Sequence, residues 1–166
     1  SNVARETGRH IVFPSRVPVA SGSGLDVRIV GWTGRCEVHE RFTVEDIENA
    51  RRQFPDVLVL AHPECSPEVV AASDFSGSTN AMCRYVETHP AGRYLVLTEC
   101  AMGDNIAAAN PTKEMVRMCS IRCPHMNEIT MEDTRDALKY LQYRVEVPEE
   151  IRVRALRAVQ RMLEIG

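Results

Sequence analysis

The sequence predicts an α/β fold: a three-layer αβα lobe on a short parallel sheet, preceded by the end of a similar lobe and followed by a C-terminal helix. Three observations carry this reading. Short strand-like runs alternate with capped amphipathic helices, the pattern of a parallel sheet covered on both faces. The run Val57–Ala61 is apolar throughout, as a strand buried on both sides must be. Among 166 residues, 26% are charged and 44% hydrophobic, so the chain has the material for an ordinary globular core.

The elements follow in order. Asn2–Thr7 reads as the tail of a helix, Gly8 as its cap, and His10–Phe13 as a strand that needs neighbours. Pro14–Asp26, rich in Pro, Ser and Gly, is expected to be a loop. Val27–Gly31 is a second short strand, and Trp32–Glu40 a polar turn. Thr43 with Asp46 makes a capping-box start for a helix whose apolar face holds Ile47, Ala50 and Phe54, and Pro55 ends it. After the strand at Val57, Ser66-Pro67-Glu68 opens a helix with a hydroxyl cap, a first-turn proline and an acid. Asp74–Ser76 is a brief strand, and Gly77-Ser78-Thr79 turns into a helix with Met82, Cys83 and Val86 inward. Arg93–Thr98 is a strand, Gly103–Ala109 a short helix and Glu114–Met118 a strand. Cys119–Asn127 is a loop, Thr130–Gln142 a capped helix. Pro148-Glu149-Glu150 starts a last helix, with Ile151, Ala155, Ala158, Val159, Met162 and Leu163 along one face.

Composition excludes several classes of function. A net charge of -3 and a pI near 6.0 give no electrostatic footprint for nucleic acid. No apolar run is long enough to span a membrane, and Ser1–Gly8 is polar, unlike a secretory signal. The six cysteines therefore point to a reducing, cytoplasmic setting and to metal or catalytic use rather than disulfides.

Four places could carry chemistry. Cys36 and His39 share a glycine-bearing loop after a strand. His62 and Glu64 end the apolar strand and suit proton transfer or the binding of a hydroxyl or amine, although a loop histidine capped by backbone fits as well. Ser78 and Thr79 start a helix, where a phosphate or carboxylate can bind; plain capping is the bland alternative. Cys119, Cys123 and His125 form a second cysteine-bearing loop whose spacing matches no common zinc ribbon.

Taken together, Gly34-Arg-Cys-Glu-Val-His39, Ala61-His-Pro-Glu-Cys65, Gly77-Ser-Thr79 and Cys123-Pro-His-Met126, in this order and spacing, resemble the quinolinate synthase family. Val145–Ile151 and the final helix resemble its C-terminus, and Thr98–Met102 with the Cys119/Cys123 loop suggests a subgroup. The resemblance implies three similar α/β lobes, each giving one cysteine to a [4Fe-4S] cluster whose fourth iron binds substrate. It implies condensation of iminoaspartate with dihydroxyacetone phosphate to quinolinate, for NAD biosynthesis, with aspartate oxidase upstream. Cys36 and Cys123 match metal ligands. His39, His62 and Glu64 match catalytic and substrate-binding positions, and Ser78 and Thr79 substrate-binding ones. The family's first lobe has no counterpart here, so residues 1–40 are expected to end the second lobe, 41–142 to form the third and 143–166 a C-terminal extension. The third cysteine ligand is expected from the first lobe, and the fragment alone is expected to be inactive. Two rival expectations are a structural zinc on Cys119, Cys123 and His125, and a metal-free module for a phosphorylated metabolite at Ser78 and Thr79.

Overall fold

The computed structural model describes residues 2–13, 29–118 and 121–165. The chain forms two compact units, residues 1–124 and 125–166. The expected loop Pro14–Asp26, the first two residues of the strand expected at Val27, and Cys119 lie outside the described residues.

The first unit opens with α1 (Asn2–Thr7). Gly8 closes it at φ 64°, its N–H donating to the Ala4 carbonyl; a side chain would strain this left-handed position. β1 (Ile11–Val12) and β2 (Ile29–Val30) then pair in parallel, Ile11 opposite Ile29.

α2 (Val44–Gln53) begins with the expected capping box, in which Thr43 Oγ1 accepts from Asp46 N–H and the Asp46 carboxylate accepts from Thr43 N–H. It is followed by β3 (Leu58–Ala61), α3 (Pro67–Ala72), β4 (Phe75–Ser76), α4 (Thr79–Thr88), β5 (Arg93–Leu97), α5 (Cys100–Ala109) and β6 (Glu114–Val116). The four strands form one all-parallel sheet in the order β4-β3-β5-β6.

Side chains along the central strands alternate between two cores, as a period of two demands. Val59, Ala61, Leu95 and Leu97 face one cluster with Ile47, Ala50 and Val69. Leu60 and Tyr94 face the other, with Met82, Val86, Ile106 and Met115. So α2 and α3 cover one face and α4 and α5 the other, which makes three layers. The direction of winding reverses once, after β4, and right-handed crossovers then place α3 opposite α4 and α5. The carbonyls of Val86 and His89, at the end of α4, accept from Lys113 Nζ, a cation at the negative end of the helix.

In the second unit, α6 (Met131–Tyr140) starts from a Thr130/Asp133 capping box and stops at Leu141, which sits at φ 53°. α7 (Glu149–Ile165) follows. The apolar face predicted for it is exposed at Ile151, Val159, Met162 and Leu163. Among the described residues, no helix is long and apolar enough to cross a membrane.

Candidate functional site

The reversal of winding defines a place. β3 and β5 are neighbours, but their connections leave in opposite directions, and in such sheets the crevice outside the strand carboxyl ends receives ligands. His62 directly follows β3 and Thr98 directly follows β5. The ladder runs on into both loops: His62 N–H donates to the Leu97 carbonyl, Gly77 N–H to that of Ala61, and Cys100 N–H to that of Ile121.

Into this crevice the loop after β2 inserts His39, the first residue of a 3-10 turn (His39–Arg41) and only 7% exposed. Its Nδ1 lies 2.9 Å from Glu64 Oε2, and its Nε2 lies 2.9 Å from Thr98 Oγ1. The ring stacks on His62, centroids 4.3 Å apart and planes inclined by 10°. His62 Nδ1 in turn accepts from Glu64 N–H. Burial lowers the pKa of His39, and a charge on His62 would lower it further; Glu64 opposes both without reversing them. Two imidazoles and a carboxylate thus sit together where protons can be passed.

The loop that carries His62 and Glu64 is held from outside the sheet. Asn2 Nδ2 donates to the carbonyls of Pro63 and Cys65, at 2.7 and 2.9 Å. Cys65 is itself buried, its thiol toward the Leu97 carbonyl, and burial pushes its pKa up to about 11. It reads as core rather than as a reactive thiol.

Cys36 Sγ, a ring nitrogen of His39 and a carboxylate oxygen of Glu64 lie within 4.8 Å of one another. Cys123, at the far end of the segment after β6, is half-buried, and both thiols pack against the same apolar cluster. One cleft is walled by Glu37, Val38 and Arg41 from the first cysteine's segment and by Arg122 and Pro124 from the second's. Neither arginine forms an ion pair with a described residue. Cys36, His39, His62 and Glu64 are therefore brought together, and the segments bearing Cys36 and Cys123 meet at one cleft.

Ser78 and Thr79 stand at the carboxyl end of β4, beside β3, at the start of α4. Ser78 Oγ accepts from Ala81 N–H, so it caps its helix. Gly77 serves packing: a Cβ there would lie 2.9 Å from the Phe75 ring and 3.0 Å from Ala81 Cβ. Thr98 and Asn2 were not predicted as site residues. Thr98 could have been suspected from its place after a parallel strand; nothing local marks Asn2.

The sequence model of the "NadA: Quinolinate synthetase A protein" family matches residues 1–164. Quinolinate synthase 2 of Mesorhizobium japonicum is 51% identical over 140 residues, covering 84% of this chain and 43% of that protein. Quinolinate synthase of Agrobacterium fabrum is 50% identical over 139 residues, 84% of this chain and 40% of the relative. Quinolinate synthase of Sinorhizobium medicae is 38% identical over 164 residues, 99% of this chain and 40% of the relative. The chain thus spans about two fifths of the length of the curated relatives it matches. A family model matched along nearly the full chain and relatives at this identity lead to one conclusion: the chain belongs to the quinolinate synthetase A protein family.

Proposed function

We propose that this chain is the part of a quinolinate synthase that contributes Cys36 and Cys123 to a [4Fe-4S] cluster and His39, His62 and Glu64 to proton handling. The observation that carries the reading is the convergence of the two cysteine-bearing segments on one cleft and one apolar cluster. The residues fit such a group. Soft thiolate donors such as Cys36 and Cys123 are what iron–sulfur clusters take, and two guanidiniums line the cleft that would face an anionic assembly. The third cysteine would come from a first lobe that this chain does not contain.

When bound, the cluster would supply a Lewis-acidic iron able to polarise a substrate oxygen. The chain's own residues do the rest. His39, His62 and Glu64 move protons in a crevice where His39 is shielded from water. Ser78 and Thr79 hold anionic groups of iminoaspartate and dihydroxyacetone phosphate: the start of α4 has unpaired N–H groups, and a hydroxyl that accepts from Ala81 still has its own proton to give. Residues 1–40 then close the second lobe, 41–142 form the third and 143–166 extend it. An upstream aspartate oxidase would supply the imine, and the setting is cytoplasmic.

The test is anaerobic purification of a complete enzyme containing this chain, with iron, sulfide and zinc analysis, and of its Cys36→Ser and Cys123→Ser variants. Cluster absorption and quinolinate formation are expected in the parent and loss of the cluster in each variant; a full cluster in either variant rejects the ligand assignment. A second reading is favoured by the closeness of Cys36, His39 and Glu64, a mixed donor set that suits a single zinc ion. It predicts zinc without sulfide, and retention of that metal when Cys123 is replaced.

A further inference from the structure

Thr98 makes a buried contact that the proposal above does not use. It is 6% exposed, and its Oγ1 lies 2.9 Å from Nε2 of His39. The opposite ring nitrogen, Nδ1, faces the Glu64 carboxylate at the same distance. A carboxylate only accepts hydrogen bonds, so Nδ1 carries the proton. A neutral imidazole then bears its lone pair on Nε2, and the partner of that lone pair must be a donor. A hydroxyl can be that donor. The fully protonated ring, with both nitrogens donating, would be a buried cation with its face stacked on His62, an arrangement burial disfavours.

We propose that Thr98 is a positioning residue for His39: its hydroxyl donates to Nε2, fixes the plane of the ring and keeps that nitrogen a proton acceptor. The functional part rests on His39 acting in the site proposed above. It adds an assignment that the sequence left open, with His39 entering the chemistry as a base at Nε2. It also limits what can approach. A substrate hydroxyl can replace Thr98 by exchanging one O–H donor for another, whereas a bare carbonyl oxygen would meet a lone pair.

The test uses this chain as it stands, labelled with nitrogen-15, and long-range proton–nitrogen correlation of the His39 ring near neutral pH. A protonated Nδ1 and a pyridine-like Nε2 are expected. Thr98→Ser should keep both resonances close to those of the parent, and Thr98→Val should move Nε2 toward the value of a nitrogen that accepts no hydrogen bond. In a complete enzyme, Thr98→Val should lower kcat by about 10- to 100-fold, taking as a guide the cost of losing the outer partner of a metal-ligating histidine, with KM little changed and Thr98→Ser restoring most of the rate. A proton on Nε2 of the parent overturns the proposal, as does an unmoved Nε2 resonance in Thr98→Val. If the valine variant does not fold, the parent tautomer still decides. The tautomer is read without substrate or cluster. A failure of the proposed activity therefore leaves that measurement intact, and an Nε2–H tautomer would leave the family chemistry intact.

Discussion

Gly77→Ala puts a single methyl group where the structure has no space for it. The added Cβ would meet the Phe75 ring at 2.9 Å and Ala81 Cβ at 3.0 Å. Whether this costs anything depends on which neighbour can yield. The Phe75 ring is stacked on Tyr85 at 4.4 Å, and Tyr85 on His89 at 4.9 Å, so it cannot swing without opening the stack. Ala81 lies in the first turn of α4 and moves only with the helix. Overpacking of this kind costs about 1–3 kcal/mol. Against it stands the stiffer unfolded chain of an alanine variant, worth about 0.4–1 kcal/mol, which applies because φ at Gly77 is not in the left-handed region. The clash outweighs the entropic gain across the two ranges, and a net loss centred on about 1.3 kcal/mol is expected. Urea unfolding followed by far-ultraviolet circular dichroism reads it as a lower midpoint at unchanged slope. Tyr85→Ala in the same chain should release the Phe75 ring and recover part of the loss, a coupling between neighbours that a double-mutant cycle measures. A Gly77→Ala midpoint equal to or above that of the parent would refute the reasoning.

Three further outcomes are expected. Cys65 has its pKa raised by burial from 9.0 to about 11, so the folded state holds its proton more tightly than the unfolded one. Its contribution is complete below pH 9 and is lost as pH rises through 11; the loss is on the order of 2–3 kcal/mol, and a Cys65→Ala chain whose denaturation midpoint falls just as steeply there would exclude the thiol as its cause. In a complete enzyme, Glu64→Gln should lower turnover by about 100- to 10,000-fold with the cluster content unchanged, and a variant of full activity would remove Glu64 from the proton relay. Thr43→Ala should cost about 1 kcal/mol by deleting the cap on Asp46 N–H, read as a lower urea midpoint; an unchanged midpoint would mean that water replaces the cap without loss.

What could be read from the sequence was whatever is written locally. The capping boxes at Thr43 and Thr130, the Ser66-Pro67 start and the alternation of Val59 and Leu60 between two cores each follow from residues a few positions apart. α5 begins at Cys100 rather than at Gly103, because the Glu99 side chain accepts from Ala101 N–H, and glutamate is a weak signal for a helix start. The strands are shorter than their apolar runs: Val57 and Met118 pack against the core without joining the ladder. In the site, His39, His62 and Glu64 were visible as motifs, but not that the first two stack or that Glu64 turns to His39. Thr98 and Asn2 reach partners 59 and 61 residues away, a separation that no local pattern encodes.

The pairing of Ala61 with Leu97 has a consequence for how this site tolerates change. His62 and Thr98 each stand one residue beyond that pair, so the site hangs on the sheet by the shortest possible arm. A strand advances about 3.3 Å per residue. Deleting one residue from β5 would therefore carry the Thr98 hydroxyl about one full hydrogen-bond length away from His39. The same slip would turn Leu95 and Leu97 out of one core and into the other. Filling the core and aiming Thr98 at His39 are thus a single geometric condition on β5, and insertions or deletions in this strand should be far less tolerable than any one substitution within it.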